Sequence, residues 1–70
     1  MIEYRIEQDL GAVGGNGKSL KLVRWGDNPA KLDLRTWRES EEGLKPGKGI
    51  TLTDNEAKEL AGVLAKYLAG

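Results

Sequence analysis

The segment Lys31-Leu32-Asp33-Leu34-Arg35-Thr36-Trp37 alternates strictly, with Leu32 and Leu34 on one side and Lys31, Asp33, Arg35 and Trp37 on the other. Successive side chains of a strand point to opposite faces, whereas a helix would scatter this pattern around its circumference. The chain is thereby committed to a sheet with one apolar face. The second face carries an ammonium, a guanidinium and an indole in one row. Those are the side chains that stack bases and neutralise phosphates in single-stranded nucleic-acid binding.

The rest of the chain reads around this strand. Residues 2–7 alternate at period two and predict a first strand with Ile2, Tyr4 and Ile6 inward. Gly11, Gly14, Gly15, Asn16 and Gly17 then signal a turn. Residues 19–25 predict a second strand, with Leu20 and Leu22 on one face and Lys21, Val23 and Trp25 on the other. Gly26-Asp27-Asn28-Pro29 is a tight turn into the third strand, residues 30–37, giving an antiparallel hairpin. Residues 38–48 read as a polar loop, and residues 49–52 as a short fourth strand. Thr53-Asp54-Asn55-Glu56 is a capping box that starts a helix of about 16 residues.

The predicted fold is α+β: one domain over residues 1–70, a four-stranded antiparallel sheet followed by a single C-terminal helix. A lone helix covers one sheet face and leaves the other to solvent or ligand. Leucines are expected to face the helix, and Lys21, Trp25, Lys31, Arg35 and Trp37 to face out. Ala57, Leu60, Ala61, Leu64 and Leu68 make the helix's apolar stripe, which Val63 and Tyr67 widen. Leu60, Val63, Leu64, Tyr67 and Leu68 are the candidate dimer interface if that surplus meets a second copy. The alternative is a helix covered by its own sheet.

Size favours the second copy. Seventy residues make one small domain of marginal stability. With neither cysteine nor histidine, disulfides and a Cys/His zinc site are excluded as sources of added stability, and no metal or cofactor is expected. The same absence rules out Ser-His-Asp and Cys-His catalysis. Glu41 and Glu42 sit in polar surroundings that would not raise a carboxyl pKa, so no enzyme is expected. Residues 12–19 loosely fit a phosphate-binding loop, but that motif needs a helix after it. Here Leu20-Lys21-Leu22-Val23 reads as strand, so a hairpin turn is the better reading. No apolar run approaches the roughly 20 residues that cross a bilayer. The expected location is the cytoplasm, at the nucleoid if DNA is the ligand.

Eleven basic and eleven acidic residues cancel, yet they are segregated. Residues 18–38 hold six bases (Lys18, Lys21, Arg24, Lys31, Arg35, Arg38) against Asp27 and Asp33, while the first 17 hold Arg5 against three acids. A surface with separated charge can still steer a polyanion. Asp33 is read as an exposed salt-bridge partner that orients Arg35.

Trp25, the run Asp33-Leu34-Arg35-Thr36-Trp37 and the run Lys45-Pro46-Gly47-Lys48-Gly49-Ile50-Thr51-Leu52, followed by the helix, resemble the positive cofactor four family of transcriptional coactivators, its short bacterial members above all. The resemblance implies curved sheets dimerised through C-terminal helices, and non-sequence-specific single-stranded DNA binding in transcription or DNA maintenance. It matches Trp25 to a base-stacking aromatic, Arg35 to a strand arginine and Lys48 to a lysine that contacts backbone phosphate. Members from eukaryotes carry two basic residues before the glycine-isoleucine step; here only Lys48 stands there.

The expected nucleic-acid interface is therefore Trp25 and Trp37 for bases, with Lys18, Lys21, Lys31, Arg35, Arg38, Lys45 and Lys48 for phosphates. Arg24 shares the leucine parity and is left out. RNA binding by the same face, or capture of a protein partner by the exposed aromatics and an edge strand, are the rival expectations.

Overall fold

The computed structural model describes residues 3–70, so the inward placement expected for Ile2 lies outside the described residues. Four strands follow one another, β1 (Tyr4–Ala12), β2 (Lys18–Trp25), β3 (Lys31–Ser40) and β4 (Gly43–Leu52), before helix α1 (Asp54–Ala69). They form one antiparallel, non-closed sheet in the order β1-β2-β3-β4. This is the expected ββββα arrangement. The phosphate-loop-like segment is a hairpin turn closed by Val13 N donating to Lys18 O at 2.8 Å, with a strand after it.

Two boundaries differ from expectation. β1 continues through Gly11, whose φ of 147° sits at a glycine-only position. Residues 38–48 are not a loop: Arg38, Lys45, Leu44 and Glu39 pair in a hairpin that turns at Glu41 and Glu42. Both faces of this arm are polar, so it lacks the alternation that identifies a half-buried strand.

The helix begins where the capping box places it. The Thr53 hydroxyl accepts from Glu56 N at 3.1 Å, and Thr53 N donates to the Glu56 carboxylate at 2.8 Å. Gly70 N closes the last turn on Lys66 O at 3.2 Å.

The core lies on the face opposite to the one expected. Among the described residues Ser19, Lys21, Val23, Asp33 and Trp37 are buried, and all share the odd parity of β2 and β3. The leucine face is only half covered, because α1 touches β3 and β4 and no helical residue is buried. Curvature explains the inversion. The β2–β3 ladder runs from Lys18↔Thr36 to Val23↔Lys31, so Trp25 and Trp37 leave it at opposite ends. Extended strand from residue 31 to 37 spans about 20 Å, yet the two indoles lie 6.5 Å apart. In a flat sheet β1 and β4 would be about 14 Å apart, yet the Tyr4 hydroxyl donates to the Leu44 carbonyl. The sheet is coiled around its odd face, and that closure, not the helix, is what buries side chains.

Bulges produce the coil. Glu7 and Leu10 are extra residues in β1, and Gly47-Lys48 together oppose Thr36 in β4. Each bends the strand and increases its twist.

Candidate nucleic-acid interface

The concave face is built on three aromatic rings. The Tyr4 centroid is 5.7 Å from both Trp25 and Trp37, and the two indoles are inclined by only 15°. Trp37 is the floor of this cluster, 7% exposed, with its Nε1–H lacking a hydrogen-bond partner among the described residues. Tyr4 and Trp25 are half-buried and form its accessible part. The expectation of two outward tryptophans is thus corrected: the coil of the sheet encloses Trp37.

Arg35 lies against this cluster in a cradle made by the Lys45–Leu52 run. Its guanidinium carbon is 4.8 Å from the Trp25 ring centroid, within cation–π range. Nε donates to Asp33 Oδ1, Nη1 to Gly47 O at 3.1 Å and Nη2 to Thr51 Oγ1 at 3.5 Å. The glycine spacing follows from this packing. Residues in a bulge leave the regular ladder, which frees the Gly47 carbonyl for Arg35. A Cβ on Gly49 would overlap Cβ of Arg35 and the Leu34 carbonyl, so only glycine lets β4 approach β3 this closely.

Asp33 is fully buried, not exposed as expected, although it does pair with Arg35. It accepts from three strands: Trp25 Nε1–H at 3.2 Å, the Thr51 hydroxyl at 2.9 Å and Arg35 Nε. A buried carboxylate requires such satisfaction.

Lys21 is also enclosed, 4% exposed, with Nζ 2.9 Å from Asp9 Oδ2 and 5.8 Å from the Trp37 ring centroid. Two of the cations expected to meet phosphate are therefore already paired within the protein. The remaining ones are exposed but spread out. Lys31 stands at the start of β3 on the inner parity. Lys18 opposite Thr36, and Arg38 opposite Lys45, occupy the parity of the leucine face. Lys48 sits in the β4 bulge. Among the described residues no carboxylate lies within ion-pair reach of Lys18, Lys31, Arg38 or Lys48, while Lys45 is 3.8 Å from Glu42. Lys45, Arg38, Tyr4, Glu42 and Pro46 line one depression of about 330 Å³.

The arrangement brings Lys21, Trp25, Arg35 and Trp37 together and leaves Lys18, Lys31, Arg38, Lys45 and Lys48 on the rim and outer side. Sequence reasoning missed Tyr4 and Asp9 as members of the cluster. Tyr4 shares strand parity with Ile6, a usable signal, but Asp9 reaches the inner face only because Glu7 is a bulge. Among the described residues no group of three or more acidic side chains could hold a metal ion, and no helix is long and apolar enough to cross a membrane.

Residues 14–63 match the family model described as Transcriptional Coactivator p15 (PC4). A protein of Treponema pallidum (strain Nichols), described only as uncharacterized, is 38% identical over 65 residues, covering 87% of this chain and 74% of the relative. No solved structure matches the chain.

Proposed function

The chain belongs to the transcriptional coactivator p15 (PC4) family of single-stranded-DNA-binding proteins, and on that premise we propose that it is a homodimer binding single-stranded DNA without sequence preference. The observation that carries this reading is the half-exposed Trp25 ring, backed by Arg35 and Trp37 on a concave face. A base stacked on such a ring contributes about 1–3 kcal/mol whatever its identity. Trp37 supports the stacking surface from beneath. Lys18, Lys31, Arg38, Lys45 and Lys48 supply the phosphate contacts, being exposed and not held by short ion pairs. Duplex DNA hides the faces of its bases, so single strands are preferred.

The dimer is supported by two apolar surfaces that the single chain leaves open. Leu20↔Leu34↔Ile50 and Leu22↔Leu32↔Leu52 form an apolar band across three strands, with Ile50 53% exposed. On the helix, Val63, Leu64, Tyr67 and Leu68 are exposed, the last two at 78% and 77%. Exposed apolar surface on this scale favours an interface. With Leu60 at its edge, the helix face packs against the second copy.

The test is a titration of labelled oligo-dT of about 20 nucleotides, with duplex DNA and oligo-U as controls, followed by anisotropy and tryptophan quenching. Expected is tight single-strand binding with quenching. Five phosphate contacts give a slope of log K against log salt of about −3.5. Absence of binding at low salt overturns the reading, and stronger binding of oligo-U moves it to RNA.

A further inference from the structure

We propose that Asp33 is the positioning residue of this interface, holding the Trp25 indole and the Arg35 guanidinium together as one stacked unit. The inference rests on the single-strand-binding reading above and deepens it. Asp33 is fully buried, and its carboxylate binds donors from β2, β3 and β4. One oxygen takes the Trp25 indole N–H and the Thr51 hydroxyl; the other takes Arg35 Nε. Trp25 follows the last paired residues of the β2–β3 ladder, where backbone pairing alone leaves its side chain free to rotate. The hydrogen bond from Nε1 removes that freedom and turns the ring back over the concave face.

The same carboxylate decides what Arg35 does. An arginine on a strand among tryptophans invites assignment as a phosphate ligand. Here its charge is neutralised by Asp33, its Nη1 is taken by Gly47 and its Nη2 by Thr51, and only 15% of its side chain is exposed. Arg35 therefore acts through its plane, as the backing of Trp25, and adds no counterion release to binding.

This gives a signature that a purely structural role would not produce. Asp33→Asn keeps the shape and an acceptor for Trp25 but frees the Arg35 charge. Binding of oligo-dT should weaken about tenfold at high salt, the scale of one charge-assisted hydrogen bond. The salt slope should steepen by about 0.7, because the released guanidinium becomes one more phosphate contact. The tryptophan emission of the free protein should shift as the indole N–H loses its anionic acceptor. Arg35→Lys, which keeps the charge beside Asp33 but loses the plane, tests the idea on a second background and should weaken binding with an unchanged salt slope. Wild-type binding together with an unchanged affinity, or a weaker affinity at an unchanged slope, in folded Asp33→Asn overturns the proposal alone. If Asp33→Asn does not fold, Arg35→Lys decides: an unchanged affinity, or a slope that steepens, overturns the proposal. Failure of the wild type to bind oligo-dT overturns the parent reading, and this proposal with it.

Discussion

Lys21 and Asp9 stand directly opposite each other across β1 and β2, with Nζ and Oδ2 2.9 Å apart. Their meeting depends on the bulge at Glu7. Without that extra residue the alternation from Tyr4 and Ile6 would send Asp9 to the outer face. With it, a lysine that reads as a phosphate ligand becomes the buried centre of an ion pair and lies against the Trp37 ring.

That pair makes stability depend on acid pH. The hydrogen bond from Lys21 holds the Asp9 carboxyl below its ordinary value of 3.8, aided by the charge of Lys21 and the Gly11 amide and opposed by desolvation. A carboxyl with a depressed folded pKa contributes stability that is fully present above its unfolded value and is lost as pH falls through the folded one. Asp9→Asn should therefore be less stable than wild type by a constant margin above the ordinary carboxyl range, and the margin should close as pH falls below 3.8. Urea unfolding of both proteins across this range measures it. A margin that persists undiminished in acid would show that charge is not its source.

Trp37 should behave as a core residue rather than a ligand platform. Truncation to alanine removes one of two buried apolar side chains among the described residues and should cost about 3–5 kcal/mol, much of the 5–15 kcal/mol typical of a folded domain. Phenylalanine should be far milder. It loses ring area but also removes the Nε1–H that is buried without a partner among the described residues, a group whose burial costs about 1–3 kcal/mol. Denaturant unfolding should rank wild type and Trp37→Phe close together, with Trp37→Ala well below. A phenylalanine variant as damaged as the alanine one would mean that the indole nitrogen has a structural partner.

Trp25→Ala should divide differently, weakening oligo-dT binding about tenfold or more while the fold survives, because Trp25 is only half-buried. Far-UV circular dichroism beside the titration checks it, and unchanged affinity in the folded variant would remove Trp25 from the interface.

Why some of this was legible in the sequence and some was not has a physical basis. Alternation located four strands, and Thr53 marked the helix start. Parity also grouped Lys21, Trp25, Arg35 and Trp37 correctly. Parity says which residues share a face, but not toward which face a sheet coils. Leucines normally settle that question, and here Leu20, Leu22, Leu32 and Leu34 are only half covered within one chain. The buried side is held by pairs that look like surface chemistry when met singly, Lys21 with Asp9 and Arg35 with Asp33. The rim cations Lys18, Arg38 and Lys45 carry the leucine parity as Arg24 does, and it is the coil of the sheet that brings Arg38 and Lys45 into one depression with Tyr4, at the edge of the aromatic row.

Gly49 is the position where the fold tolerates least. Alanine there collides with the backbone and Cβ of β3, which cannot move aside as a flexible side chain would. Gly49→Ala should cost about 3 kcal/mol or more and displace the cradle that Gly47 and Thr51 form around Arg35. Gly15→Ala is the control: nothing lies within 4 Å of its added Cβ, and it should be neutral or stabilise by about 0.4–1 kcal/mol through the unfolded chain. Thermal unfolding separates the two, and a Gly49→Ala protein with native stability would contradict the close approach of β4 to β3.

The helix provides the last test. Leu64 is 48% exposed in the single chain, so a charge at this position would be nearly free of cost in a monomer. In the proposed dimer it lies between two helices, where an unpaired buried carboxylate costs several kcal/mol. Leu64→Asp should therefore shift light scattering from twice the chain mass to the chain mass at micromolar concentration. It should also lower thermal stability in a concentration-dependent way, because wild-type unfolding of a dimer responds to protein concentration and monomer unfolding does not. Oligo-dT affinity per chain should fall less than the avidity of long strands, since two linked concave faces raise the effective concentration of the second contact. A wild-type protein that scatters as one chain, with Leu64→Asp indistinguishable from it, would leave the apolar helix face to some other partner.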